Sequence, residues 1–154
     1  MNRTLRAFLI APLWAPALTG LQILLFGLPR SMGPLDPTEW LLLSLVLSLL
    51  LGCAGVWTLG VLIHRLLATR RITALWRHIA IWSAAGLAVR MLLLVATWVP
   101  TGGLAFGLAE LQGAMQNRPL FLLSGGLAGA LMGGTIWLIA GIGRPGAPGP
   151  SSAK

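Results

Sequence analysis

Charge is what this sequence has least of. Only 9% of its 154 residues are charged, three residues are acidic, and Lys154 is the sole lysine. A soluble globular domain is about a quarter charged, so a chain this poor in charge cannot cover a water-facing surface. Tyrosine is absent and Cys53 is the single cysteine, which excludes an intramolecular disulfide. Cys53 lies inside an apolar block and reads as a small packing residue. Also missing are a GxSxG, a P-loop, an HExxH and a pair of catalytic carboxylates. His64 and His78 bracket the basic segment "HRLLATRRITALWRH". No cysteine or acid accompanies them there and their spacing fits no metal motif, so they read as helix-end histidines in a headgroup zone. These absences point away from an enzyme, a metal and a cofactor.

What the chain has is long apolar runs, with 56% apolar residues overall. Four blocks reach the roughly 20 helical residues that cross a bilayer: 7–28, 40–63, 79–99 and 120–142. Prolines punctuate them. Pro29, Pro34 and Pro37 separate the first two, Pro100 closes the third and Pro119 opens the fourth. The expected fold is an all-α, four-helix transmembrane bundle in a single membrane domain, residues 1–142. The tail 143–154, "GRPGAPGPSSAK", is Pro/Gly/Ser-rich and expected to be disordered.

Basic residues set the orientation. Arg3, Arg6, Arg65, Arg70, Arg71, Arg77, Arg144 and Lys154 share one side of a four-span topology. The other side has Arg30 and Arg118 together with all the acids, Asp36, Glu39 and Glu110. The positive-inside rule then puts both termini in the cytoplasm. The Ala15-Pro16-Ala17 triplet resembles a signal-peptide cleavage site, but the apolar run continues through "LQILLFGL", so an uncleaved first span is expected. The net charge of +8 is spread over block ends with no basic domain, which excludes a nucleic-acid reading. Arg65, Arg70, Arg71 and Arg77 are instead placed to attract anionic lipid. Arginine in place of lysine, with abundant Ala, Gly and Leu, suggests a GC-rich bacterial genome and hence a multi-pass protein of the bacterial inner membrane.

Small residues recur every four positions, the spacing that lets membrane helices approach closely. The stripes are Ala7, Ala11, Ala15 and Thr19; Ser44, Ser48 and Gly52; Ala80, Ala84 and Ala88; and Gly125, Gly129 and Gly133, with Gly126, Ala130 and Gly134 beside the last. The glycine stripe serves either a homo-oligomer or partner face or packing within one bundle. With four spans to bury one another, packing is the expectation. Pro12 and Pro16 should bend the first span. In the segment before Pro119, Leu104, Leu108, Leu111 and Met115 share one helical face. That segment reads either as an amphipathic helix on the membrane surface or as an irregular glycine-rich loop.

One residue breaks the apolar pattern. Arg90 sits mid-span in "WSAAGLAVRMLLLVATW", at an insertion cost of roughly 3 kcal/mol, and will not escape by losing its proton. It is about eleven residues, or about 16 Å, from the cytoplasmic end, beyond its side chain's reach of about 6–7 Å. Ser83, Gly86 and Thr97 fall on its helical face, which should point inward. A helical side chain leans toward its own N-terminus, so Arg90 is expected to reach the level of Gly86. The neighbouring spans there carry Trp14, Trp57 with Thr58, and Thr135 with Trp137. The remaining tryptophans fit interfacial belts, Trp40 and Trp98 outside, Trp76 and Trp82 inside. Hydroxyls, carbonyls near Pro12 and Pro16, water, indole faces or a bound anion would solvate the guanidinium.

The segments "ALWRHIAIWSAAGLA" and "GGLAGALMGGTIWLIAG" resemble those of uncharacterised small four-span inner-membrane proteins of Proteobacteria, with an aromatic-His entry to span three and a Gly-rich last span ending in an aromatic. The resemblance implies the fold and the location, with no activity or site residues. Two functions are expected. The first is a non-enzymatic accessory or interaction subunit, within a homo-oligomer or larger membrane complex. The second is a small transporter or anion/lipid-binding protein that uses Arg90 in a cytoplasm-facing intramembrane cavity.

Overall fold

The computed structural model describes residues 3–27, 36–70 and 72–141. Arg30, Arg71, Arg144, Lys154, Pro29, Pro34 and the tail expected to be disordered lie outside the described residues. Among the described residues four helical segments are long and apolar enough to cross a membrane: Arg3–Leu25, Pro37–Thr69, Leu75–Asn117 and Pro119–Ala140. The first contains α1 (Arg3–Ile10), a 3-10 turn (Ala11–Leu13) and α2 (Trp14–Phe26). The 3-10 turn sits where Pro12 and Pro16 remove donors from the helical ladder. The second joins α3 (Pro37–Gly55), a π turn (Val56–Gly60) and α4 (Val61–Thr69). Asp36 starts α3 with a capping box: its carboxylate accepts from the Glu39 amide at 2.8 Å, while the Glu39 carboxylate accepts from the Asp36 amide at 3.2 Å.

The third segment, α5 (Leu75–Asn117), runs farther than its apolar block. Pro100 does not close it; the helix continues through Pro100 to the glycine pair 102–103. The Thr101 hydroxyl donates to the Trp98 carbonyl at 3.0 Å there. Gly103, at φ 75°, takes the left-handed conformation and turns the chain. Residues 104–117 then form a helical arm. Gly107 is buried against the Val95 carbonyl, and Phe106 stacks edge-on against Trp98 at 5.7 Å. The start of the arm therefore folds back against the last turns of α5 before Gly103. α6 (Pro119–Ala140) returns and ends at Gly141 in the left-handed conformation.

The helices alternate up and down. Gly52 of α3 meets Ala15 of α2, and Gly20 meets Leu45, so these two run antiparallel. α5 and α6 form the most extensive pair, and α1 also packs on α6. Their closeness follows from glycine: a Cβ on Gly129 would overlap the Trp82 carbonyl, and one on Gly86 would overlap the Gly125 carbonyl. Gly125, Gly129 and Gly133 thus face α5 within the chain.

In the third span the packing face is Trp82, Gly86 and Arg90. The expected stripe Ala80, Ala84 and Ala88 is exposed. A shift of two residues is about 200° around a helix, which puts that stripe on the opposite side. Trp82 is 4% exposed and belongs to the core, not to an interfacial belt. His78, one turn earlier on the same face, is 1% exposed and equally buried, not a headgroup residue. The core also includes Ala7, Phe8, Ala11, Val56, Leu67, Met132 and Ile136. It fills the end of the bundle where α1 begins and α6 ends, called here the terminal end. The opposite, loop end is where α2 gives way to α3 and where the arm lies.

Candidate functional site

Beyond the core the two helix pairs separate. α3 buries no residue and makes little contact with α5. A cavity of about 330 Å³ lies between the α2–α3 pair and the α5–α6 pair, with the π turn contributing to its wall. Most of its lining is apolar, including Leu18, Leu51, Ala85, Val89, Ala128 and Met132. The polar side chains there are Thr19, Gln22, Ser48, Thr58, Ser124 and Arg90. Arg90 is the lining's only formal charge, and the lining includes no His, Cys, Asp or Glu. The packed core stands between this cavity and the terminal end. Val56, Trp82 and Met132 belong both to that core and to the cavity wall.

Arg90 is half-buried. Its guanidinium carbon lies 3.8 Å from the centre of the Phe121 ring. Phe121 is one turn before Gly125 in α6, toward the loop end, so Arg90 reaches away from Gly86. The expected lean is reversed for a steric reason. At Gly86 the α5 and α6 backbones are in direct contact, leaving no room for a guanidinium. Arg90 Nε has no hydrogen-bond partner. A cation–π contact is worth about 0.5–2 kcal/mol, with Phe weaker than Trp. That does not cover the roughly 3 kcal/mol or more of placing Arg mid-span, so part of the cost is left for another polar group. Asp36 and Glu39 are committed to the α3 cap, and Glu110 is on the arm beyond Gly103.

The other expected site residues disperse. Ser83 faces α6, with its hydroxyl oxygen against Gly126. Thr97 is exposed and its hydroxyl donates back to the Leu93 carbonyl at 2.7 Å. Thr58 lines the cavity but its hydroxyl donates to the Ala54 carbonyl at 2.6 Å. Trp14 Nε1 donates to Thr135 Oγ1 at 2.9 Å, tying α2 to α6. Trp137 Nε1 donates to the Thr73 carbonyl at 2.7 Å, pinning the turn before α5. Trp57 stands 6.1 Å from the Phe8 ring, tilted. These tryptophans brace the terminal end; none touches the guanidinium. Gln22 and Ser124 join Arg90 in the cavity. Gln22 carried a signal, as the one amide in the first span. Phe121 carried a weaker one, a ring one turn from Gly125.

His64 packs edge-on against Phe8 at 5.7 Å, and neither ring nitrogen of His78 has a hydrogen-bond partner. Among the described residues no group of three His, Cys, Asp or Glu could hold a metal. Arg65 and Arg70 are exposed at the terminal end, and Arg77 lies against the Trp76 ring at 5.2 Å. The chain matches no protein-family model, no curated protein and no solved structure.

Proposed function

We propose that this chain is a non-enzymatic multi-pass protein of the bacterial inner membrane that holds an anionic amphiphile in its intramembrane cavity. The observation that carries the reading is Arg90: a permanent cation lining an apolar cavity, with an unpartnered Nε and no carboxylate in the lining. A bound anion supplies the charge-assisted hydrogen bonds that Phe121 cannot. A scaffold that only presents a surface to partners needs neither the cavity nor the charge, so the ligand-binding reading ranks above the accessory-subunit reading. The lack of a His, Cys or acid in the lining favours binding over chemistry. The packed core at the terminal end favours binding over transport, because a transporter needs a path to both sides.

Native mass spectrometry on protein released from mild non-ionic detergent tests this. We expect the wild type to retain an anionic adduct at one per chain and Arg90→Gln to lose it. The same adducts on both proteins would sink the reading.

A further inference from the structure

We propose that the cavity is built for a single-chain amphiphile with a carboxylate head, the chemistry of a long-chain fatty acid; this rests on the anion-binding reading above. The head follows from charge and donor geometry. Arg90 is the lining's one formal charge, so it balances one negative charge. Its Nε is buried without a partner, so a ligand meets the guanidinium through its two Nη atoms, whose parallel donors match the two oxygens of a carboxylate. Additional donors are scarce. The Ser48 and Ser124 hydroxyls donate to the Leu45 and Phe121 carbonyls at 2.9 and 2.6 Å, and Thr58 is likewise committed to Ala54. The Thr19 hydroxyl, the Gln22 amide and the indole Nε1 of Trp82, which is buried without a partner, are the remaining donors on the wall. A phosphate monoester carries up to two negative charges, which the single guanidinium of the lining does not balance.

The tail follows from volume and lining. About 330 Å³ is at the small end of ligand cavities; it suits one acyl chain and not a two-chain phospholipid. Leu18, Leu51, Ala85, Val89, Ala128 and Met132 offer that chain an apolar bed. Entry follows from the packing. α3 and α5 barely meet, and on this proposal an amphiphile already dissolved in the bilayer enters between them without crossing water.

The test is equilibrium binding of radiolabelled palmitate to the full chain in phosphatidylcholine nanodiscs, with competition by hexadecanol and hexadecyl phosphate. We expect saturable binding, and hexadecanol weaker by about tenfold or more, since it lacks the charge. Arg90→Gln should weaken palmitate to the level of hexadecanol. Ala85→Phe, which fills the cavity and keeps the charge, should remove both. Because the competition uses the wild type alone, the outcome stands even if a variant fails to fold. If hexadecanol competes as well as palmitate, the carboxylate assignment is overturned. If hexadecyl phosphate binds tighter than palmitate and depends on Arg90, the anion cavity stands and the carboxylate assignment falls. If no probe binds in an Arg90-dependent way, both readings fall.

Discussion

At the scale of single residues, the glycines of α6 are not equivalent. Gly129 lies against the Trp82 carbonyl and Gly133 against the Trp82 side chain, whereas a Cβ on Gly134 would meet nothing within 4 Å. Inside lipid this close packing holds the pair together, because apolar burial contributes little between helices. Gly129→Ala must force α5 and α6 apart, an overpacking cost of about 1–3 kcal/mol. Gly134→Ala adds a methyl in open space and favours the helix slightly. We expect Gly129→Ala to lower the melting temperature in detergent by about 3 °C or more and Gly134→Ala to leave it unchanged or higher, followed by intrinsic tryptophan fluorescence. Equal shifts would mean that the α5–α6 contact is not where the stability resides. The spacing of both stripes was legible in the sequence. Which one carries the contact was not, since both repeat every four residues and the choice depends on how the partner helix is rotated.

At the scale of elements, the arm at residues 104–117 shows how a glycine-rich segment becomes a helix. Gly103 supplies the left-handed turn, and Gly107 allows the arm to rest on the Val95 carbonyl. Two of the glycines that weakened the helix reading are therefore what let the helix dock. Leu104, Leu108 and Met115 remain exposed on one side, and Gln116 is exposed about 100° around the helix from them, with Gln112 at the border. The apolar side belongs in lipid and the glutamines in water. With Cys53 replaced by alanine, a cysteine at Gln116 should react readily with a membrane-impermeant maleimide in intact cells. One at Leu104 should react about tenfold more slowly. Comparable rates at the two positions would remove the surface-lying assignment. The four spans and the face of this arm were written in hydrophobic periodicity. The direction of Arg90 was not, because the rule that side chains lean toward their own N-terminus says nothing of a neighbour's backbone. Gly125, from another span, closes that space. The tryptophans misled for a related reason: their depth was countable along the chain, but Trp14 and Trp137 are tied by hydrogen bonds to Thr135 and the Thr73 carbonyl, and the ring that meets the guanidinium is Phe121.

At the scale of the whole molecule, the fold places Arg3, Arg6, Arg65, Arg70 and Arg77 at one end, all exposed. The capped acids Asp36 and Glu39 begin α3 at the other. Each arginine near an anionic leaflet is worth about 1 kcal/mol, and translocating any of them works against the membrane potential. Several such terms add in the same direction, so the terminal end is expected in the cytoplasm. Green fluorescent protein fused after Lys154 should therefore fluoresce, while alkaline phosphatase fused there should be inactive and alkaline phosphatase fused after Asn117 should be active. The opposite pattern would invert the molecule. Inversion would also move the Arg90 cavity, because the guanidinium reaches toward the loop end. With the termini inside, the guanidinium is set toward the outer leaflet, and the proposed amphiphile is expected to enter from there. Palmitate delivered to the outer leaflet of sealed, right-side-out vesicles should then bind faster than palmitate delivered to the inner leaflet, because on the proposed reading the topology of the bundle sets the side from which the amphiphile is drawn.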